Sequence, residues 1–381
     1  MDVMRAQEIK KRLERRVKEV DASTVLALLA PDSNVIDIRE DEEVIHGMIP
    51  GAKHVKRGAL ESWLEDHVRD VEDIIVLYCE SGKRSVYAVN ALMSLGYKDV
   101  SSLRGGINNW KALGLPIEQP SSLNKCDFTR YARQMMLPEV GIRGQENLAA
   151  AKVLVVGAGG LGSPCLYYLV AAGVGTVGIA DHDIVDQSNL HRQILYDQYD
   201  VGTRKAIAAE RKIKNLNTHV KTNLYIDAVT ENNAADIIAS YDLVIDCTDN
   251  FAVRYALSDA AVKVNIPIVH GAVHRFQGTV GVFNLPGGPC YRCVYPEPPP
   301  KALSPSCTDA GVLGVTPGVI GVLQAAEAIK LILSPGAGRH HALLRYSGTS
   351  MSLTSVEIAA RPDCPCQFSK KNEAPQCQTL L

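Results

Sequence analysis

The chain has 381 residues, 46% of them hydrophobic, enough for two or three domains with sizeable cores. Its 40 basic and 42 acidic side chains leave a formal net charge of -2, so no global field favours nucleic acid or an anionic membrane surface, and any anion site must be local. Ten cysteines without an export signal argue against a disulfide scaffold and for a reducing compartment, the cytoplasm, where thiols bind metal or react.

Residues 1–22 alternate charged and apolar residues at helical spacing and predict an exposed helical extension. From 23 to 117, short apolar runs ("NVIDI", "DIIVLYC", "VSSL") alternate with helical patterns, which predicts a small parallel α/β domain. Residues 118–126 are polar and aperiodic, and read as a linker. Across 127–381 a longer alternation begins with "KVLVVG" and "SPCLYYLVAAG" and runs to "PIVHGAV", predicting a larger doubly wound sheet. The stretch "KVLVVGAGGLGSPCLYYLVAAGVGTVGIA" is apolar enough to raise the question of a membrane span, but its glycines predict strand, turn, helix and strand, and no membrane segment is expected.

In "LYCESGKRS", Cys79 falls at the carboxyl end of a buried-strand pattern, where a helix begins. Backbone N–H groups of such a turn can surround what the sulfur carries, and Lys83 and Arg84 favour the thiolate. A core cysteine is the plainer reading of any lone thiol, but the Gly, Lys, Arg and Ser that follow weigh against it. This loop, with "VIDIRE" at 35–40, "GMIPGA" at 47–52 and "GGINNW" at 105–110, resembles the rhodanese family of sulfurtransferases. Met48 stands where that family usually has histidine. The resemblance implies a Cys79 persulfide, with Arg84 part of the catalytic loop. Phosphatase-type loops place five residues between cysteine and arginine; four intervene here, and a shorter loop encloses a smaller group.

"VLVVGAGGLGSP" places Gly157, Gly159 and Gly162 in G-x-G-x-x-G spacing between strand and helix, and "GIADHD" puts Asp181 where a ribose hydroxyl partner belongs. A nicotinamide enzyme would read the same way to that point. "DQSNLHRQ" then adds Ser188, Asn189, Arg192 and Gln193, "VGTRK" adds Lys205, and "DLVIDCTDN" ends with Asp249 and Asn250. Two cations and a carboxylate at one sheet edge suit a triphosphate with magnesium better than a nicotinamide. These stretches, with "RYARQ", "CYRC" and "CTDAGVLGVTPGVIG", resemble the MoeB and ThiF adenylyltransferases, relatives of ubiquitin-activating enzymes. That resemblance implies ATP and Mg2+ as cofactors, with Gly160 in the nucleotide loop, Asp181 on ribose, Arg192 and Lys205 on phosphates and Asp249 positioning magnesium. It also implies a homodimer in which Arg133 enters the partner's site. The substrate so implied is a ubiquitin-like sulfur carrier ending in Gly-Gly, adenylated at its terminal carboxylate.

Cys290 and Cys293, then Cys364 and Cys366, form two thiolate pairs that predict a structural zinc site. The family's second pair is separated by two residues, whereas Pro365 alone intervenes here, so Cys377 is an alternative ligand. Cys307 stands at the family's non-metal cysteine, a position that is catalytic in some members. Fusion of the two domains predicts sulfur passing from a persulfide donor, such as a cysteine desulfurase, or from thiosulfate, through Cys79 to the carrier adenylate. External sulfur, with the first domain docking or regulating, is the alternative.

Overall fold

The computed structural model describes residues 13, 16–30, 33–44, 46–118, 122–299, 311–334, 341–364 and 366. The chain divides into two compact units, Met1–Arg130 and Tyr131–Leu381.

The first unit is built on five parallel strands, β1 (Lys18–Val20), β2 (Asn34–Asp37), β3 (Lys53–His54), β4 (Ile75–Tyr78) and β5 (Val100–Leu103), in the order β1-β5-β4-β2-β3. Alternate strand residues face opposite sides. Ile36, Ile75 and Leu77 enter one buried cluster, and Val35, Val76 and Tyr78 enter the other. Both faces are therefore covered, as an all-parallel sheet requires. The stretch expected to be a helical extension contributes β1, which pairs with β5 over Lys18–Val20. Charge alternation alone does not distinguish a charged edge strand from an exposed helix, and the open side of β5 decides the matter.

The segment expected to be a linker is shorter in practice. Glu118 exchanges backbone hydrogen bonds with Met48, and a helix already begins at Lys125, running to Met135.

The second unit carries an eight-stranded sheet: β6 (Lys152–Val156), β7 (Thr176–Ala180), β8 (Lys221–Tyr225), β9 (Leu243–Asp246), β10 (Ile268–His274), β11 (Gln277–Phe283), β12 (Ala342–Ser347) and β13 (Ser352–Glu357). The order is β13-β12-β11-β10-β9-β6-β7-β8. From β8 to β10 all pairings are parallel; from β10 to β13 all are antiparallel. The doubly wound expectation holds for the parallel half, and the antiparallel extension is an addition to it. Val153 and Val155 point into the core on one face, Leu154 and Val156 into that on the other. The chain order reverses at β6, which has β7 on one side and β9 on the other, so a crevice opens at the carboxyl ends of these strands.

Among the described residues one helix, Val315–Leu333, is long and apolar enough to cross a membrane. It packs instead against β10, β11 and the helix Gly162–Ala172, with Ile320, Ala325 and Ala328 in the core.

Candidate functional site

In the first unit, β4 delivers Cys79 to the end of a buried strand, and the turn Glu80–Gly82 leads into the helix Lys83–Ser94. Gly82 caps that helix with φ 84°, a left-handed conformation suited to glycine. Gly105 and Gly106, at the start of the helix Gly106–Ala112, close the turn from the other side. The N–H of Ile107 donates to Cys79 O at 2.9 Å and that of Asn108 to Glu80 O at 3.0 Å. A Cβ on Gly106, whose φ is +60°, would lie 2.4 Å from Cys79 O, so the close approach excludes any side chain. The Cys79 side chain is buried, with its Sγ 3.6 Å from Ser85 Oγ. Ser85 Oγ donates to Gly82 O and lies 2.8 Å from Ser102 Oγ, so the hydroxyl beside the thiol is itself fixed.

Arg84 does not stand free beside the sulfur. Its guanidinium makes a two-pronged pair with Glu43, Nη1 donating to Oε2 at 2.6 Å and Nη2 to Oε1. The pair raises the guanidinium pKa, mainly through the hydrogen bond to Glu43 and in smaller part through the nearby Cys79 sulfur. The same hydrogen bond holds the Glu43 carboxyl below its ordinary value. Glu43 is in turn located by Arg39, which donates through Nη1 to Glu43 O at 2.9 Å and through Nη2 to Gly47 O at 2.8 Å. Arg39 is anchored by Asp37 at the end of β2, with both side chains buried. "VIDIRE" thus builds the ion-pair scaffold behind the loop. Glu43 was missed in sequence because nothing local marks a partner 41 residues from Arg84.

In the second unit a cleft of about 1480 Å³ opens over the ends of β6, β7 and β9. It is lined by Gly157, Gly159, Gly160, Asp181, Asn189, Arg192, Gln193, Lys205, Asp249 and Asn250. Gly157 adopts φ 92°, and its missing Cβ would meet Cys247 O at 2.8 Å. A Cβ on Gly162 would lie 2.0 Å from Gly157 O, so the third glycine lets helix and loop touch and does not itself line the cleft. Asp181 accepts from the N–H of Ala158 at 2.7 Å and of Asp183 at 2.9 Å, tying the glycine loop to the end of β7. Lys205 is buried, and its Nζ meets Asp183 Oδ2 at 2.9 Å. Burial would raise the Asp183 carboxyl, but the Lys205 ammonium more than offsets it and holds the pKa low.

Several expected residues carry structural duties. Asn250 Oδ1 caps the helix Phe251–Val264 by accepting from Ala252 N at 2.8 Å, which commits that oxygen to the fold. Ser188 and Asn189 close a capping box with Asp186, and Ser188 lies outside the lining. Arg192 lines the cleft while its Nη1 donates to Ser188 O at 3.1 Å. Gln193 is buried beside Gly159, and its Oε1 has no hydrogen-bond partner among the described residues. Arg133 is exposed on the helix Lys125–Met135 and does not line the cleft. Cys307 and Cys377 lie outside the described residues.

Behind the cleft stands a buried pair that sequence reading missed. His270 Nδ1 lies 2.8 Å from Asp246 Oδ2, and Asp246 Oδ1 accepts from the backbone N and the hydroxyl of Thr248. Arg254 donates to Thr248 O at 2.6 Å through Nη2. The turn that carries Asp249 is therefore held from both sides. Of the three cysteines whose sequence setting suggests structural thiols, Cys165 and Cys247 are buried, whereas Cys126 is exposed.

Cys290, Cys293, Cys364 and Cys366 converge with all four Sγ atoms within 4.8 Å of one another. The separations Cys290–Cys293, Cys290–Cys364 and Cys293–Cys366 are 3.8, 3.5 and 3.6 Å. A tetrahedron of sulfurs about 2.3 Å from a central zinc has edges of about 3.8 Å, so the set fits such an ion. The single intervening Pro365 does not prevent convergence, and Cys377 is not needed as a fourth ligand.

The ThiF family model matches residues 131–366. The chain belongs to the ThiF family. A rhodanese-like domain model matches residues 21–113, ahead of the ThiF-family unit. The chain is 49% identical over 246 residues to the sulfur carrier protein adenylyltransferase of Thermus thermophilus, covering 63% of this chain and 91% of that protein. It is 43% identical over 250 residues to the mouse adenylyltransferase and sulfurtransferase MOCS3, covering 65% of this chain and 54% of the relative, so it spans about half that protein's length. Among solved structures, Escherichia coli MccB with ATP superposes at a TM-score of 0.56 and 19% identity, over 64% of this chain and 75% of that one. PaaA gives 0.56 at 19% identity over 71% and 83%. At that identity these structures share the fold.

Proposed function

We propose that this chain is an adenylyltransferase with sulfurtransferase activity. In this reading it uses ATP to adenylate the C-terminal glycine of a ubiquitin-like sulfur carrier, and a Cys79 persulfide supplies the sulfur that yields the carrier thiocarboxylate. The observation that carries the reading is the cleft over β6, β7 and β9, where the glycine loop meets Arg192, Lys205 and Asp249 in a unit of ThiF type.

The division of labour follows from charge. A free carboxylate repels nucleophiles, whereas an acyl-adenylate offers a good leaving group. The chain's own part is positioning and charge neutralisation. The glycine loop and Asp181 would locate the nucleotide, Arg192 and Lys205 would bind its phosphates, and Asp249 would hold magnesium, which neutralises phosphate charge when bound. Cys290, Cys293, Cys364 and Cys366 would hold a structural zinc ion. Arg133, exposed on its helix, would complete the site of a second copy in a homodimer. The reduced thiols suit the cytoplasm.

Sulfur transfer would place the terminal sulfur of the Cys79 persulfide on the acyl carbon as AMP leaves. A second thiolate, for which Cys307 is the candidate, would then attack the Cys79 sulfur of the acyl disulfide, so that the S–S bond breaks, the thiocarboxylate leaves with the electron pair, and a Cys79–Cys307 disulfide remains for an external thiol to reduce before the next turnover. MoaD-like carriers are favoured over ThiS-like ones by the similarity of "DCTDN" and "CYRC".

The test is ATP–pyrophosphate exchange with purified carriers of both kinds, with product masses recorded. Cys79→Ser is expected to keep carrier-dependent exchange and lose thiocarboxylate formation. Undiminished thiocarboxylate from that variant without free sulfide sinks direct transfer in favour of the second reading, external sulfur with a docking first domain, which the burial of Cys79 favours.

A further inference from the structure

We propose that His270 is a positioning residue of the nucleotide site: by fixing the Asp246 carboxylate it sets the turn 246–250, which presents Asp249 to magnesium. This role rests on Asp249 as the magnesium carboxylate, and it names the residue that aims it.

The turn is held at every residue around Asp249. Asp246 ends β9, and its Oδ1 accepts the backbone N–H of Thr248 at 3.0 Å and the Thr248 hydroxyl at 2.7 Å. Thr248 O accepts from Arg254, and Asn250 caps the helix that follows. Asp249 lies between them and lines the cleft, with no hydrogen-bond or ion-pair partner for its carboxylate among the described residues. The turn therefore offers the cleft one unspent carboxylate, a hard oxygen donor of the kind magnesium takes.

Both Thr248 bonds require the Asp246 carboxylate to keep a single orientation, because rotation about its Cβ–Cγ bond withdraws Oδ1 from the two donors together. His270 prevents that rotation, donating through Nδ1 to Oδ2 at 2.8 Å. The two residues are direct partners in the parallel β9–β10 ladder, so the backbone itself sets the ring beside the carboxylate. Phe283 and Tyr291 pack against the ring at centroid distances of 6.0 and 4.9 Å, and Gln324 Nε2 donates to Asp246 O at 2.7 Å. Asp246 and His270 are each 2% exposed, so a hydrogen bond lost between them is not replaced by bulk solvent. An apolar pair would pack there at less electrostatic cost, but it would not hold the turn. Groups behind a metal ligand raise metal affinity in this way without touching the metal.

The experiment uses the full chain with ATP and measures, by calorimetry, the magnesium concentration that half-saturates the tightening of ATP binding. ATP affinity in excess chelator is recorded beside it. His270→Leu removes the donor at similar size, and should raise the half-saturating magnesium concentration about tenfold while leaving magnesium-free ATP affinity at the wild-type value. His270→Asn places Nδ2 near the position of Nδ1, and should recover most of the magnesium affinity. A structural role alone would weaken both affinities together. Equal loss in the Leu and Asn variants, or unchanged magnesium dependence in folded His270→Leu, overturns the role of His270. If His270→Leu does not fold, Thr248→Val decides: it removes one of the two bonds to Asp246 from a half-buried position, and should shift the magnesium dependence in the same direction by a smaller factor. No shift there overturns the proposal. Asp249→Asn tests the reading beneath: wild-type magnesium dependence in that variant shows that Asp249 is not the magnesium carboxylate, whatever His270 does.

Discussion

His270 and Asp246 form a buried pair that ties the stability of the second unit to pH. Burial lowers the His270 pKa, so the ring is neutral in the folded chain and tends to protonate only on unfolding. Burial would raise Asp246, but the His270 hydrogen bond outweighs it and keeps the carboxylate charged. As pH falls through about 6.5, the unfolded state takes up a proton that the folded state refuses, so stability falls with pH. Loss of the Asp246 charge continues that fall at lower pH. Thermal melts at pH 7.5 and 5.5 should show this loss in the wild-type protein and a smaller one in His270→Asn. An identical pH response in both would show that the pair does not control it. The pair could not be read from sequence because it joins neighbouring strands 24 residues apart, and strand order is not written in either segment.

At the scale of elements, the two nucleophile-side motifs act as one device. The loop after β4 and the start of the helix Gly106–Ala112 share hydrogen bonds, and Gly106 is the point of contact. Gly106→Ala would bring a Cβ to 2.4 Å from Cys79 O and 2.7 Å from Gly82 N, backbone atoms that cannot yield without opening the loop. The expected outcome is a folded second unit with pyrophosphate exchange intact and sulfur loading on Cys79 reduced about a hundredfold, on the order of the cost of misplacing a reacting group by 1 Å. Loading at the wild-type rate would show that the loop tolerates the shift. Elements built on local signals were legible: the strand before each glycine or cysteine loop, the helix after it, and the paired cysteines. The antiparallel strands β11 to β13 were not. Gly278 and Gly281 interrupt the apolar pattern of β11, each because a Cβ would strike Ile320 or Leu343. Asn250 lines the cleft and also caps the next helix, and a polar residue at a strand end looks the same in sequence whichever of these duties it has.

At the scale of the molecule, the cysteine cluster has a consequence for chain connectivity. Cys290 and Cys364 are 74 residues apart, and the stretch between them contains the helix Val315–Leu333 with β12 and β13. With a metal bound, the cluster closes that stretch into a ring. Such a cross-link removes unfolded-chain entropy worth about 4 kcal/mol on the loop-length estimate used for disulfides. Chelation should therefore leave β6 to β9, which lie outside the ring, less affected than the sheet's antiparallel edge. Limited proteolysis with mass mapping should find the first new cuts between 334 and 364 after metal removal. Simultaneous cutting throughout the second unit would show that the cluster stabilises the domain as a whole. The same ring implies a clock for assembly: it can close only once Cys366 has been made, so a nascent chain holds its nucleotide-side strands before it can lock its outer edge.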